Sequence, residues 1–398
     1  MLSEEMIKLG KVKSAIRELF EYGNSRAKEI GKDNVFDFSI GNPSVPAPES
    51  VNNTIKKLID ELDSVSLHGY TSAAGDSNVR NSIALYLNNR YRTSFKADDL
   101  YLTTGAAAAL SITFKALTCQ DDEFIVFAPF FPEYRIFIEN AGAKVVTVSC
   151  RTDDFQIDFE ALKKAVNKNT KGIVLNSPCN PSGVVFSADT VKKLSDILRD
   201  AEEKYGHPVF IISDEPYREI VYGDIEVPFV PDFYDDTVIC YSFSKSLSLP
   251  GERIGYILVN SKCAEHDDLC AAVAGAGRSL GYVCATSLFQ KILPECLGLT
   301  SDISVYKKNR DILYENLTKH GYSMPHPDGA FYLFVKSLEP DAVRFCENAK
   351  KYELLLVPSD SFGIPGYVRI SYCVSTEMIE RSLPAFKALA DAYKKGEF

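Results

Sequence analysis

Short apolar runs alternate with amphipathic segments through the middle of the chain, from about residue 98 to 260. The runs 172–175 and 209–213 have the length of buried strands, and 78–92 and 187–204 have helical spacing behind polar residues that can cap a helix. This alternation predicts an α/β fold with a mostly parallel sheet wrapped by helices. Because 398 residues exceed the size at which one core stops growing, we also expect a second domain.

Composition narrows the range of partners and of cellular locations. With 54 acidic and 44 basic residues the formal charge is −10, which argues against nucleic acid or an anionic membrane as the partner. No apolar stretch is long enough to span a bilayer, and the first five residues lack the features of a secretory signal, so we expect a cytoplasmic protein. The ten cysteines and five histidines are dispersed, which favours reduced thiols and no metal site.

The run 242–253 combines an amine, hydroxyl groups and a guanidinium within a dozen residues. The amine of Lys245 can condense with an aldehyde. The hydroxyls of Ser242 and Ser244 and the forked side chain of Arg253 suit the oxygens of a phosphate. The run therefore predicts a site for a ligand that carries both an aldehyde and a phosphate.

A second element supplies an acid and a phenol. Asp214 ends the predicted strand 209–213, and the carboxyl edge of a parallel sheet is where ligands bind. A carboxylate there favours the protonated form of a pyridine nitrogen, and Tyr217 could donate to a phenolate oxygen. Pyridoxal 5'-phosphate (PLP) carries all of these groups, so we expect PLP as the cofactor.

In sequence and in order, these elements resemble the class I/II, fold-type I PLP-dependent aminotransferases, with aspartate aminotransferases as the nearest type. The likeness extends from about Gly41 to Arg369, and its most specific part reads Ser-x-Ser-Lys followed by Pro-Gly-x-Arg-x-Gly-Tyr. It implies a large PLP-binding domain at 45–285 with a mostly parallel seven-stranded sheet. It also implies a smaller α+β domain built from 1–44 and 286–398, and a homodimer with shared active sites.

The resemblance assigns catalytic roles to Lys245, Asp214 and Tyr217. Lys245 would form a Schiff base with PLP and carry a proton during catalysis, and Asp214 would keep the ring nitrogen protonated. The cofactor-binding residues that the resemblance implies are Gly105, Ala106, Ala107, Phe131, Asn180, Asp214, Tyr217, Ser242, Ser244, Lys245, Arg253 and Tyr70.

Some of these residues have simpler alternatives. Gly105 and the two alanines after it would form a phosphate cup, although an alanine-rich helix start has the same composition. Phe131 would stack on the pyridine ring in preference to Tyr134, and its alternative is an ordinary core ring. Tyr70 would reach the phosphate of the neighbouring subunit.

Four residues are expected to bind substrate. Arg369, in the middle of an alternating strand, would fork onto the α-carboxylate of an amino acid, with a structural salt bridge as the alternative. By resemblance, Asn180 would donate to both the cofactor phenolate and that carboxylate, and Gly41 belongs either to a substrate-binding turn or to a plain one. Arg278 could meet a second carboxylate from the partner subunit, or it could form a surface or interface salt bridge.

The function expected from the resemblance is a ping-pong aminotransferase that moves an amino group from an L-amino acid to a 2-oxoacid. Aspartate is the first choice of donor. An aromatic or broad-specificity aminotransferase and a PLP-dependent carbon–sulfur β-lyase remain open, since one fold supports several reactions. A PLP-sensing regulatory domain would need an added DNA-binding segment and fits the acidic chain poorly. An inactive scaffold is disfavoured because the predicted catalytic residues are all present.

Overall fold

The computed structural model describes residues 2–11 and 15–398. Residues 1 and 12–14 belong to the segment assigned to the smaller domain and lie outside the described residues. Within the described residues, the helices are α1 Glu4–Lys11, α2 Ala15–Ile30, α3 Glu49–Glu61, α4 Ser64–His68, α5 Ser77–Tyr91, α6 Ala106–Leu117, α7 Glu133–Ala141, α8 Phe159–Ala165, α9 Ala188–Tyr205, α10 Phe243–Ser246, α11 His266–Leu280, α12 Ser287–Cys296, α13 Ser304–His320, α14 Ala342–Lys350 and α15 Thr376–Lys395.

The strands are short, as the apolar runs predict. They are β1 Phe36–Asp37, β2 Leu100–Thr103, β3 Glu123–Ala128, β4 Lys144–Ser149, β5 Thr170–Asn176, β6 Phe210–Asp214, β7 Thr237–Ser242, β8 Gly255–Val259, β9 Tyr332–Lys336, β10 Leu354–Leu355, β11 Val357–Pro358 and β12 Tyr367–Ser371.

Seven strands form one sheet in the order β2-β8-β7-β6-β5-β3-β4. Strand β8 runs antiparallel to both of its neighbours, and the remaining pairs are parallel. This confirms the prediction of a mostly parallel seven-stranded sheet. The register pairs Asn176 at the end of β5 with Asp214 at the end of β6. The carboxyl ends of the central strands therefore bring polar side chains to one edge.

Helices cover both faces of this sheet because successive strand residues point to opposite sides. Ile212 packs in the cluster formed with α6 and α11, whereas its neighbour Ile211 packs in the cluster formed with α8 and α9. Helix α9 begins where the sequence predicts, since the Ser187 hydroxyl accepts from the Thr190 amide. Helix α5 likewise begins after Asp76.

A second core forms around the antiparallel sheet β11-β12-β9. Leu333 of β9 and Ile370 of β12 pack with residues of α13, α14 and α15. The intervening Phe334 faces the other side and joins the core of the large sheet. Helix α12 packs against α3 and α5, although 286–398 was assigned to the smaller domain. The domain boundaries near 45 and 285 stay a prediction.

Within the described part of the chain, no helix combines the length and the apolar character needed to cross a bilayer. All ten cysteines carry free thiols. Among residues 2–11 and 15–398, no three His, Cys, Asp or Glu side chains are grouped so as to hold a metal ion.

Candidate active site

A cavity of about 300 Å³ opens at the carboxyl edge of the large sheet. It collects most of the predicted site residues, although they come from segments far apart in the chain. Its lining is Ile16, Gly41, Ala106, Ala107, Leu110, Phe131, Tyr134, Asn176, Asn180, Asp214, Pro216, Tyr217, Ser242, Ser244, Lys245, Pro250, Arg253, Tyr332 and Arg369.

Lys245 lies in the short helix α10, directly after the end of β7. Its Nζ donates to the carbonyl oxygen of Gly41 over 2.6 Å. Burial lowers the pKa of the Lys245 ammonium group to about 8, and the positive charges of Arg253 and Arg369 act in the same direction. An appreciable fraction of the amine is therefore neutral near physiological pH and can act as a nucleophile or a base.

Asp214 ends β6 and is only 4% exposed. Its Oδ2 accepts from the hydroxyl of Tyr134 at 2.5 Å, whereas its Oδ1 is buried without a hydrogen-bond partner. Burial raises the pKa of Asp214 to about 7. A buried carboxylate oxygen without a partner is costly, so Oδ1 is suited to accept from an N–H of a bound ligand.

The other end of the cavity is a cradle for an anion. Gly105 precedes helix α6 with φ of 84°, and a Cβ at this position would lie 2.6 Å from Nη2 of Arg253. The Arg253 Nη1 donates to the Ser244 hydroxyl over 3.3 Å, and that hydroxyl accepts from Ser242 over 2.8 Å. Together with the amides at the start of α6, these donors suit a phosphate group.

Arg369 projects from β12 into the same cavity and is buried. Its Nη1 donates to Oδ1 of Asn180 over 3.1 Å and its Nη2 donates to the carbonyl oxygen of Ser39 over 2.6 Å. Its Nε is buried without a hydrogen-bond partner. The guanidinium lies over the rings of Tyr332 and Phe362, at 4.7 and 5.2 Å from their centroids. No carboxylate pairs with Arg369 among the described residues, so the arginine is suited to receive one from a ligand.

The loop after β5 is fixed by a chain of amide contacts. Asn176 donates to the carbonyl oxygen of Asp214 over 2.9 Å and accepts from the backbone N–H of Asn180 over 2.7 Å. The Asn180 amide presents its oxygen to Arg369, so its NH₂ group alone can serve as a donor. The predicted double donation by Asn180 must come from that one group.

Tyr217 follows the strand that carries Asp214, and its hydroxyl lies 2.9 Å from that of Tyr332. Phe131 lies in the cavity wall with its ring edge against Tyr134, at a centroid separation of 5.6 Å. Three predicted residues are absent from this lining: Gly105, which lies directly before Ala106, and two residues outside the cavity. Tyr70 is 99% exposed, and Arg278 is exposed in the last turn of α11.

Sequence reasoning missed Tyr332 and Asn176, and it considered Tyr134 only as a ring that could stack. The run around Tyr332 reads as a plain apolar strand, and Asn176 reads as one turn former among several. The hydroxyl of Tyr134 meets a carboxylate 80 residues away, which is a contact that only the fold creates. Ile16, near the start of α2, is a further lining residue that no motif indicated.

The fold is that of a fold-type I PLP-dependent transferase, and comparison with known proteins makes the class specific. Residues 33–386 match the family described as aminotransferase class I and II. The chain belongs to this family, whose members are PLP-dependent transaminases that act on amino acids and 2-oxoacids.

Two similar proteins are named as aminotransferases with a specific substrate. Aspartate aminotransferase from Thermotoga maritima is 31% identical over 368 residues, 90% of this chain and 93% of that protein. A probable N-acetyl-LL-diaminopimelate aminotransferase from Bacillus subtilis is 30% identical over 365 residues, 88% of each chain. Among solved structures, an amino transferase from Eubacterium rectale is 59% identical, with a TM-score of 0.97 over 99% of both chains.

Proposed function

We propose that this aminotransferase binds PLP in the cavity around Lys245 and moves an amino group from an L-amino acid, with aspartate as the first choice, to a 2-oxoacid in a ping-pong reaction. The observation that carries the proposal is the arrangement of three unmatched groups in one cavity. These are the amine of Lys245, whose pKa is lowered to about 8, the Oδ1 of Asp214, which has no hydrogen-bond partner, and the guanidinium of Arg369, which has no carboxylate partner among the described residues.

The residues present fit the cofactor. Lys245 would hold its aldehyde carbon, and Asp214 would accept from its ring nitrogen. The donors around Gly105 and Arg253 would hold its phosphate, because a side chain at Gly105 would occupy the space beside the guanidinium. When bound, PLP supplies an aldehyde that condenses with amino groups and a ring that withdraws electrons from the substrate Cα.

The chain's own residues then divide the work of catalysis. Lys245 moves a proton with its Nζ, and a pKa of about 8 places that group near the pH at which it both gains and loses a proton readily. Tyr217 and Asn180 would hold the phenolate oxygen of the cofactor. The burial of Asp214 would strengthen its pairing with a cationic ring.

Substrate binding is assigned to Arg369. Its planar fork matches the α-carboxylate of an amino acid, and stacking on Tyr332 fixes the plane in which the carboxylate is received. Lysine could not reproduce this geometry. Gly41 lines the same cavity next to the Tyr332 hydroxyl, and we propose that its backbone completes the carboxylate site.

Aspartate as donor is supported by the names of several relatives about 30% identical to this chain. A second carboxylate needs a second cation, and we propose that Arg278 supplies it from the partner subunit of a homodimer. The full exposure of Tyr70 supports the same assembly, since its side chain would reach the phosphate of the neighbouring subunit. The relative named as a probable N-acetyl-LL-diaminopimelate aminotransferase supports a second candidate donor.

Single-turnover absorbance spectra of the PLP-loaded protein test the proposal. Mixing with aspartate should convert the cofactor to pyridoxamine 5'-phosphate, and 2-oxoglutarate should reverse the change. Faster conversion by N-acetyl-LL-diaminopimelate or by an aromatic amino acid would replace aspartate as donor. No conversion by any amino acid, with pyruvate and ammonia released from cystathionine, would instead establish a carbon–sulfur β-lyase.

Two variants test the residue roles within the same assay. Lys245→Ala should bind PLP without a link that borohydride can reduce. Arg369→Ala should raise KM for the amino acid by about a hundredfold, since it removes a charge-assisted bidentate contact. Arg369→Lys is the matched control, because it keeps the charge and loses the fork.

A further inference from the structure

The hydroxyl of Tyr134 makes a hydrogen bond to the carboxylate of Asp214 in the wall of the cavity. It donates to Oδ2 of Asp214 at 2.5 Å, and both side chains are buried. Tyr134 lies in the first turn of α7 and Asp214 at the end of β6, so the bond joins two elements that reach the cavity from different sides.

Because of this hydrogen bond, the two oxygens of the Asp214 carboxylate differ in their surroundings. Oδ2 is occupied by the phenol, and Oδ1 is left buried without a partner. A phenol has a single proton to donate and its pKa is raised well above the usual value, so at neutral pH it is a donor to Asp214 and not an acceptor. The geometry therefore favours a charged carboxylate with one oxygen held in place and the other available.

We infer that Tyr134 is a positioning residue that keeps Asp214 ionised and thereby keeps the ring nitrogen of bound PLP protonated. The inference rests on the proposed function, since it requires PLP in this cavity. In an ion pair the proton stays on the ring, and in a neutral pair it moves to the carboxylate. A donor on Oδ2 stabilises the ion pair, because hydrogen bonds to a charged acceptor are stronger than those to a neutral one.

The surroundings of Asp214 make this donor important. Burial raises the pKa of Asp214 to about 7, and the hydrogen bond from Tyr134 works against that rise. Glu215 is the neighbouring carboxylate and raises the pKa further, although it is itself paired with Arg218. Other titratable groups that interact with Asp214 are Tyr217, Cys179 and Cys240. Among the described residues, Tyr134 is the side chain that donates a hydrogen bond to this carboxylate.

Tyr134→Phe removes the donor and keeps the ring that packs against Phe131. The matched control is Tyr322→Phe. That hydroxyl is also buried and donates to the carbonyl oxygen of Phe386 over 3.0 Å, in the core of the smaller sheet and away from the cavity. Both variants lose one buried hydrogen bond, so a general loss of stability affects them alike.

The experiment measures binding of two ligands to the cofactor-free protein by fluorescence titration. The ligands are PLP and 1-deazapyridoxal 5'-phosphate, in which the ring nitrogen is replaced by a C–H group. Wild type and Tyr322→Phe should prefer PLP by the same factor. Tyr134→Phe should lose about tenfold of that preference, mainly through weaker binding of PLP, since the removed bond involves a charged group.

A second measurement reports the protonation of the ring nitrogen directly. The ¹⁵N chemical shift of ring-labelled PLP bound to wild type should report a protonated nitrogen at pH 7, and in Tyr134→Phe the nitrogen should lose its proton at lower pH. An unchanged preference in Tyr134→Phe, or a neutral nitrogen in wild type at pH 7, would refute the inference while leaving PLP binding intact. Failure of wild type to bind PLP would instead remove the proposed function and the inference together.

Discussion

The hydroxyls of Tyr217 and Tyr332 lie 2.9 Å apart in the buried wall of the cavity. Tyr332 also carries the guanidinium of Arg369 over its ring, and its hydroxyl would lie 2.1 Å from a Cβ at Gly41. One tyrosine therefore contacts Tyr217, Arg369 and the backbone at Gly41. A change in one of these neighbours should be transmitted to the others through this ring.

Gly41→Ala should reduce kcat/KM for the amino donor by about a hundredfold. The new methyl group cannot coexist with the Tyr332 hydroxyl and must displace either the ring or the loop, and a misplacement of about 1 Å near reacting groups has effects of this size. The double variant Gly41→Ala/Tyr332→Phe, which lacks the clashing oxygen, should recover part of the loss. Steady-state kinetics of wild type and the two variants provide the test. Full activity of Gly41→Ala would mean that the loop moves freely.

Capture of PLP by the cofactor-free protein should depend on pH through Lys245. The neutral amine is the nucleophile, and its pKa is lowered from 10.5 to about 8 by burial. The rate constant should rise with pH and level off above about 8. Stopped-flow absorbance over pH 6–10 provides the measurement. A rate that keeps rising toward pH 10 would show an amine with an ordinary pKa.

Glu215→Gln should destabilise the protein through the loss of an ion pair that does not line the cavity. Glu215 and Arg218 form a buried ion pair with side-chain exposures of 3% and 5%. Removing the charge of one partner leaves a buried guanidinium without a counter-charge, at a cost of about 3–5 kcal/mol. Asp196→Asn is the control, because its pair with Arg199 is more than half exposed, and its loss should cost less than about 1 kcal/mol. Urea denaturation compares the two, and equal losses would contradict the argument.

The sequence predicts the parts of this fold that local patterns encode. The apolar runs at 172–175 and 209–213 lie within β5 and β6, and Asp76 and Ser187 cap α5 and α9. The strand order and the reversed direction of β8 have no such signal. A fully buried strand is apolar on both faces, whether it runs parallel or antiparallel to its neighbours. Its own residues therefore do not indicate its direction or its neighbours, which depend on the connections between strands.

Some features of the candidate site could likewise be predicted from local sequence, and others could not. Lys245 and Arg253 belong to one continuous sequence motif, so their proximity could be predicted from the sequence. The contact of Lys245 with Gly41 spans 204 residues, and the hydroxyl pair of Tyr217 and Tyr332 spans 115. Such contacts depend on how segments that are far apart in the chain pack together. In the sequence, Tyr332 has the pattern of a core residue in an apolar strand. Only the structure shows where its hydroxyl lies.

The proposed sharing of the active site between subunits predicts complementation between two defective variants. Arg278→Ala should lose activity toward aspartate, because the second carboxylate has no cation, and Lys245→Ala should be inactive toward every donor. In a mixed dimer, one site would combine the intact Lys245 of one subunit with the intact Arg278 of the other. Random mixing gives mixed dimers as half of the population, each with one of two sites restored, so activity should reach about a quarter of wild type.

Subunits are mixed by denaturing and refolding the two variants together, and aspartate turnover is compared with that of each variant refolded alone. A neutral amino donor such as alanine serves as the control, since its turnover by Arg278→Ala alone should match wild type. If Arg278 acts within its own subunit, the mixed dimer has no complete site and activity stays at the level of the separate variants. If Arg278 forms only a surface salt bridge, Arg278→Ala keeps its activity toward aspartate before any mixing.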